Sequence, residues 1–140
     1  MPDVKVLSVD AEGSVTMEFD IAAKVITGMD ALFQRVVLKF LKTPGTDILD
    51  IQSGGGLQSM LFGSAGGVDD PQVLADVAEV VRRVRRQCVE DQQTVALPPS
   101  ERLADLVIAE ATVDVTTSEL LLTVSLASEA GQTALRTIGL

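Results

Sequence analysis

Histidine is absent from the 140 residues, and Cys88 is the lone cysteine. Those two facts remove most side-chain chemistry near neutral pH. Without an imidazole there is neither the usual general base nor the usual metal ligand. One thiol and no imidazole make neither a zinc site nor a Cys–His nucleophile, and no intrachain disulfide can close. What remains is carboxylate chemistry, from 20 Asp and Glu residues. A glycosidase needs two carboxyl groups flanking one bond, and the inventory alone allows such a pair. Yet the acids fall on the polar faces of periodic segments or near helix starts, and no two stand apart as acid and nucleophile. The expected protein is not an enzyme and takes no cofactor or metal.

Three other groupings could act without catalysis. Gly54-Gly55-Gly56 invites comparison with a phosphate-cradling loop. That loop places Lys and Ser/Thr directly after its last glycine, whereas Leu57 and Gln58 follow here. A dinucleotide fingerprint lies between a strand and a helix, and these glycines follow a helix. Close passage of backbone past backbone is the better use for them. Arg82, Arg83, Arg85 and Arg86 form the one basic cluster. They read either as a solvated helix face or as a docking patch for an acidic neighbour. Glu101 and Arg102 follow the break Leu97-Pro98-Pro99-Ser100, either as charges at a helix start or as a contact.

Two helices must position these groups. Met29, Leu32, Phe33, Val36, Val37, Phe40 and Leu41 make one apolar stripe on a 3.6-residue period. Thr27 is the expected N-cap, with Asp30 three residues on. Thr43-Pro44-Gly45 ends this helix, since Pro44 biases Thr43 out of the helical region and Gly45 tolerates positive φ. For the second helix, Asp69 and Asp70 offer caps and Pro71 suits the first turn. Leu74, Val77, Val81, Val84 and Cys88 form its stripe, widened by Val73 and Val80, as far as about Gln92. Cys88 therefore reads as a small buried hydrophobe. Asp76 and Glu79 early, with the arginines late, would complement the helix dipole. Glu79 with Arg83 and Arg86 with Glu90 have the spacing of i,i+4 ion pairs.

The ends of the chain alternate with period two. Val15, Met17, Phe19 and Ile21 mark a half-buried strand, and residues 4–9 are its expected hairpin partner. Near the C-terminus, Ala109, Ala111, Val113 and Val115 alternate with Glu110, Thr112, Asp114 and Thr116, and Leu120, Leu122, Val124 and Leu126 alternate with Leu121, Thr123, Ser125 and Ala127. A turn at Glu129-Ala130-Gly131 leads into a third strand over 132–140. The predicted fold is a single α+β domain over 1–140, with antiparallel β hairpins and sheet packed on two main α-helices.

Composition bounds the setting. Hydrophobic residues make up 46% and aromatics 3%, so the core must be aliphatic. A formal net charge of -9 argues against nucleic acid as partner and suits solubility or a basic protein partner. The single cysteine suits a reducing compartment. No basic-then-apolar leader opens the sequence, and no apolar run approaches the roughly 20 residues of a membrane span.

The helix LFQRVVLKFLKTPGT, followed after a short interval by GGGL, resembles the sheath-initiator family. These are small baseplate-wedge proteins of contractile phage tails, with relatives in type VI secretion baseplates. The resemblance spans Gly28 to Leu140 through four features in order: helix, Thr-Pro-Gly with GGGL, Pro-Pro-Ser-Glu-Arg, and terminal hairpin. It implies a structural virion protein of the tail baseplate, present in the host cytoplasm during assembly. The implied partners are the tail sheath protein and other wedge and hub or tube proteins, with several copies in sixfold arrangement around the tail axis. The family carries a Glu-Pro-Arg signature between its long helix and final strands, where it helps form a bundle with other wedge proteins. Here Glu101 and Arg102 stand at that place without the intervening proline, which puts the bundle geometry in question. The resemblance also implies that Val113, Val115, Leu120, Leu122, Val124, Leu135 and Ile138 belong to strands that template the sheath; the plainer alternative is that they complete the core. Two further alternatives are a type VI secretion baseplate component and a peptidoglycan hydrolase, since proteins of this kind have at times been described as lysozymes.

Overall fold

The apolar stripe of the first helix is buried where the period places it. The structure, a computed structural model, describes residues 3–9, 15–17, 24–56, 71–114 and 119–139. Helix α1, Gly28–Leu41, buries Leu32, Val36, Val37 and Phe40, while Met29, Phe33 and Leu41 pack partly against the same core. Thr27 has extended backbone but makes no side-chain capping bond, contrary to expectation. A distant residue fills that role, as described below. After α1 the chain turns at Pro44-Gly45, with Gly45 at φ 89° as expected.

Helix α2, Pro71–Thr94, buries Val73, Val77, Val80, Val81 and Val84. Leu74 is 46% exposed, so the buried stripe is rotated from the one expected. The helix also runs well past Arg86. Its first turn has no acid and its last turn no base, so the dipole argument for the charge order fails. Glu79 pairs with Arg82 at i,i+3 (2.8 Å), one residue short of the expected Arg83. The caps expected at Asp69 and Asp70 lie outside the described residues, as do Phe19 and Ile21.

At the N-terminal end, β2 (Leu7–Val9) pairs antiparallel with β3 (Val15–Met17), the hairpin read from the alternation. An additional short pair joins β1 (Asp3–Val4) to β4 (Val25–Ile26). Gln34 of α1 fastens this region. Its side-chain oxygen accepts from the N–H groups of Val6 (2.8 Å) and Leu7 (3.3 Å).

The C-terminal sheet is antiparallel in the order β5 (Leu103–Asp114), β6 (Glu119–Ser128), β7 (Thr133–Gly139). One face of β6, with Leu120, Leu122, Val124 and Leu126, is fully buried against the helices. β5 begins six residues before the expected Ala109, because two bulges hide it from a period-two pattern. Register shifts at Leu103/Asp105 and Ile108/Glu110 space its core-facing residues as Leu103, Leu106, Ile108 and Ala111. Ala109 becomes the extra residue of the second bulge and is exposed rather than sharing the face of Ala111. The arrangement is α+β: an antiparallel sheet packed on two helices, with short pairings at the other end of the chain.

Candidate functional site: a buried carboxylate junction

Pro98 and Pro99 stop the chain from continuing α2, and a 3-10 turn at Pro99–Glu101 follows. That turn drives Glu101 inward until it is 2% exposed. Burying a carboxylate is costly unless it is paired and hydrogen-bonded. Both requirements are met within the chain. Arg35 of α1 reaches Oε2 at 2.6 Å and donates from its other terminal nitrogen to the Glu101 carbonyl at 3.0 Å. Oε1 accepts the N–H of Gly28 at 3.2 Å. Glu101 therefore does the capping that Thr27 does not, and its charge sits at the positive end of the α1 dipole. A carboxylate with both oxygens held by fixed donors is a joint; it is poorly placed to move protons or attack substrate.

Arg102 extends the joint outward. Its Nε meets Glu129 at 2.6 Å, and a terminal nitrogen donates to the Gln92 carbonyl at 3.0 Å. The β6–β7 turn docks on the same segment: the Glu129 N–H bonds the Arg102 carbonyl at 2.9 Å, and the Ala130 N–H bonds that of Pro99 at 3.2 Å. Gln92, itself buried, accepts the Leu103 N–H at 2.8 Å and donates to the Leu103 carbonyl at 2.9 Å. It thus closes the start of β5 as a neighbouring strand would. Gln34, Gln87 and Gln92 all hold backbone in this way. Reading the sequence missed all three, because a glutamine beside an apolar stripe looks like ordinary helix surface.

The glycine stretch works at the opposite end of α1. Gly55 and Gly56 donate to the carbonyls of Lys39 (2.8 Å) and Lys42 (3.0 Å), while Gly54 donates to the Gln87 side chain at 3.0 Å. A Cβ on Gly54 would lie 2.3 Å from the Lys42 carbonyl oxygen, and one on Gly55 would lie 2.9 Å from a Val84 methyl. These are the close backbone approaches expected from the sequence, and they use the N–H groups of all three glycines within the chain.

Between the two ends of α1 runs a groove of about 440 Å3 with apolar walls that include Leu32, Leu38, Cys88, Val95 and Leu97. Lys39 and Lys42 edge it, in ion pairs with Asp91 (2.5 Å) and Asp47 (2.6 Å). Cys88 is half-buried in the wall, and burial pushes its thiol up to about 11, with the Lys39 charge opposing. It stays a protonated, unreactive thiol near neutrality.

The other expected site residues lie on α2 and on the C-terminal sheet. Arg82 pairs on its own helix, Arg85 reaches Asp105 of β5 at 3.1 Å, and Arg83 lines a hollow with Gly55 and Gly56. Arg86 is exposed. The four arginines therefore face different neighbours. Leu120, Leu122 and Val124 lie on β6, the central strand, so they fasten the sheet and offer no edge. Ile138 is likewise buried, whereas Leu135 is 65% exposed on the opposite face. Val113 pairs with Leu120 through the backbone, and Val115 lies outside the described residues. Among the described residues no three His, Cys, Asp or Glu side chains group as metal ligands, and no helix is long and apolar enough to cross a membrane.

Comparisons with models of known protein families, with curated proteins and with solved structures return no match for this chain.

Proposed function

We propose that this chain is a non-catalytic component of a contractile-tail baseplate, which joins wedge and hub proteins and templates the first sheath ring by accepting a strand at the edge of β7. The observation that carries the reading is the position of β7. It is an outer strand, paired among the described residues only with β6, and its sequence TALRTIG has neither proline nor acid. Such an edge presents unpaired N–H and C=O groups that an added strand satisfies through main-chain bonds. The buried face of β6 anchors the sheet to the helices, and the Arg102–Glu129 joint anchors the β6–β7 turn. The ordered resemblance of helix, Thr-Pro-Gly, GGGL and terminal hairpin supports the same reading. Because Glu101 is occupied inside the chain, a wedge contact at this junction falls to half-exposed Arg102.

Deleting β7 would strip Ile138 from the core and confound folding with assembly. The better test places lysines on its outer face, Thr133→Lys with Leu135→Lys, since edge lysines deter strand pairing. The variant should fold and enter baseplates, and tails built with it should grow an inner tube without an ordered sheath. A normal sheath overturns the proposal. Purified wild-type protein should also leave murein intact; turnover that a single Asp or Glu substitution abolishes would make it a hydrolase.

A further inference from the structure

The two edges of the C-terminal sheet differ. β5 is bent at both of its register shifts, and bulges blunt an edge. β7 pairs with β6 in unbroken register from Thr133 to Gly139, and its sequence TALRTIG has neither proline nor lysine. The β6–β7 turn fixes which groups that edge offers. The Ser128 N–H donates to the Gln132 carbonyl at 2.8 Å. Antiparallel ladders alternate, so from that bond onward Ala134, Arg136 and Ile138 direct their backbone groups to β6. Thr133, Leu135 and Thr137 direct theirs outward, and among the described residues nothing bonds them.

We propose that a second copy of this chain adds its own β7 to this edge, antiparallel about a twofold axis through Leu135, and so joins two three-stranded sheets into one. The residue pattern selects this occupant and this register. Centred on Leu135, each Leu135 faces the other, Thr133 faces Thr137 and Ala134 faces Arg136. The outward N–H and C=O groups of Thr133, Leu135 and Thr137 then meet as donor and acceptor. Centring on Arg136 would set two guanidinium groups opposite each other, which is unfavourable. Arg136 keeps its own contacts, Asp30 at 3.3 Å and the Phe33 ring at 5.7 Å, so the pairing asks no charge of the second copy. On the solvent face, Val107, Ser125 and Leu135 lie side by side across the sheet without charge. Pairing carries that row across the axis and brings together two Leu135 side chains, each 65% exposed in the single chain. A twofold contact uses both β7 edges, and the outer edges left are the bulged β5 strands, so growth stops at the dimer. The charge of -9 on each copy opposes approach and keeps the contact weak. The inference needs the open edge alone and not the sheath reading. One edge cannot hold both strands at once, so the dimer is a form of the free chain.

Sedimentation velocity on the full chain, from micromolar to millimolar concentration, tests the contact. Wild-type protein should show a monomer–dimer equilibrium. Leu135→Lys sets like charges face to face on the axis and should weaken it by about tenfold or more. Leu135 points to solvent from an outer strand, so the variant keeps the fold. Cross-linking tests the register. Across a hydrogen-bonded antiparallel pair the α-carbons stand about 5.5 Å apart, within disulfide range. Leu135→Cys should therefore oxidise to a covalent dimer, whereas Thr133→Cys, roughly 14 Å along the strand from its counterpart, should not. Wild type, with Cys88 alone, is the background. A wild-type chain that stays monomeric, a Leu135→Lys variant that associates like wild type, cross-linking no better at 135 than at 133, or species growing beyond the dimer would each overturn the proposal. None of these outcomes decides the sheath reading, whose test is the assembled tail.

Discussion

At its N-terminal end α1 is closed by one charged side chain, and at its C-terminal end by bare backbone. Glu101 comes from 73 positions along the chain to accept the Gly28 N–H, and Arg35 holds it in place. Gly55 and Gly56 bring N–H groups to the last carbonyls of the helix, in a space where side chains do not fit. Each end suits its polarity, an anion for the positive end and neutral donors for the orphaned carbonyls. Their weaknesses therefore differ. The first end depends on the presence and charge of one carboxylate; the second depends on the absence of Cβ atoms.

The largest expected effect comes from removing the charge. Glu101→Ala leaves Arg35 without its carboxylate and the Gly28 N–H without its acceptor. One-sided loss of a buried ion pair costs about 3–5 kcal/mol, and the low end applies because the Arg35 side chain is 27% exposed. Urea unfolding at constant m-value should record a loss of about 3 kcal/mol. Glu101→Gln keeps an acceptor for Gly28 and should lose less. If the alanine variant is within about 0.5 kcal/mol of wild type, the N-terminal end is not held by this carboxylate.

At the other end, Gly54→Ala should cost roughly 1–3 kcal/mol, because its Cβ would meet the Lys42 carbonyl at 2.3 Å and its φ is 118°. Gly45→Ala is the control. Its φ is 89°, but nothing lies within 4 Å of the added methyl, so it isolates the conformational cost of about 1 kcal/mol. Equal losses at both positions would mean that close approach adds nothing at Gly54.

The same contrast explains what the sequence disclosed. Apolar periods located α1, α2, the β2–β3 hairpin and most of the C-terminal sheet because burial acts on whole faces. The glycine run disclosed its purpose because only glycine permits such approach. Glu101 did not disclose its capping, since a partner 73 positions away exists only in the folded chain. Local reading gave the cap to Thr27, which has the right residue type but makes no capping bond. β5 was read short for a related reason: its bulges at Ala104 and Ala109 space the apolar residues 3, 2 and 3 apart. Among the site residues, Arg82, Arg85 and Arg86 are exposed at the i,i+3 and i,i+4 spacing that puts side chains on one helix face, as their closeness in sequence suggests. Their ion-pair partners, Glu79 for Arg82 and Asp105 for Arg85, could not be read from that spacing.

The smallest effect concerns the Lys42–Asp47 pair, which repeats the chemistry of Arg35–Glu101 on the surface. The Lys42 hydrogen bond, helped by the Leu49 N–H, holds the Asp47 carboxyl below its ordinary value of 3.8. A lowered value means that folding favours the ionised form. Its contribution is therefore present above the ordinary carboxylate range and is lost as pH falls through the lower, folded value. The Lys42 and Asp47 side chains are each about one-third exposed, so water screens the pair and global stability should barely register it. The expected readout is local. Asp47→Asn should leave the urea midpoint unchanged near neutrality while speeding hydrogen exchange at the Leu49 amide relative to its intrinsic rate. Lowering the pH of the wild type through the same window should loosen that amide likewise. If instead the Asp47→Asn midpoint drops as far as that of Glu101→Ala, burial is not what separates the two pairs, and loop 46–52 is part of the cooperative core.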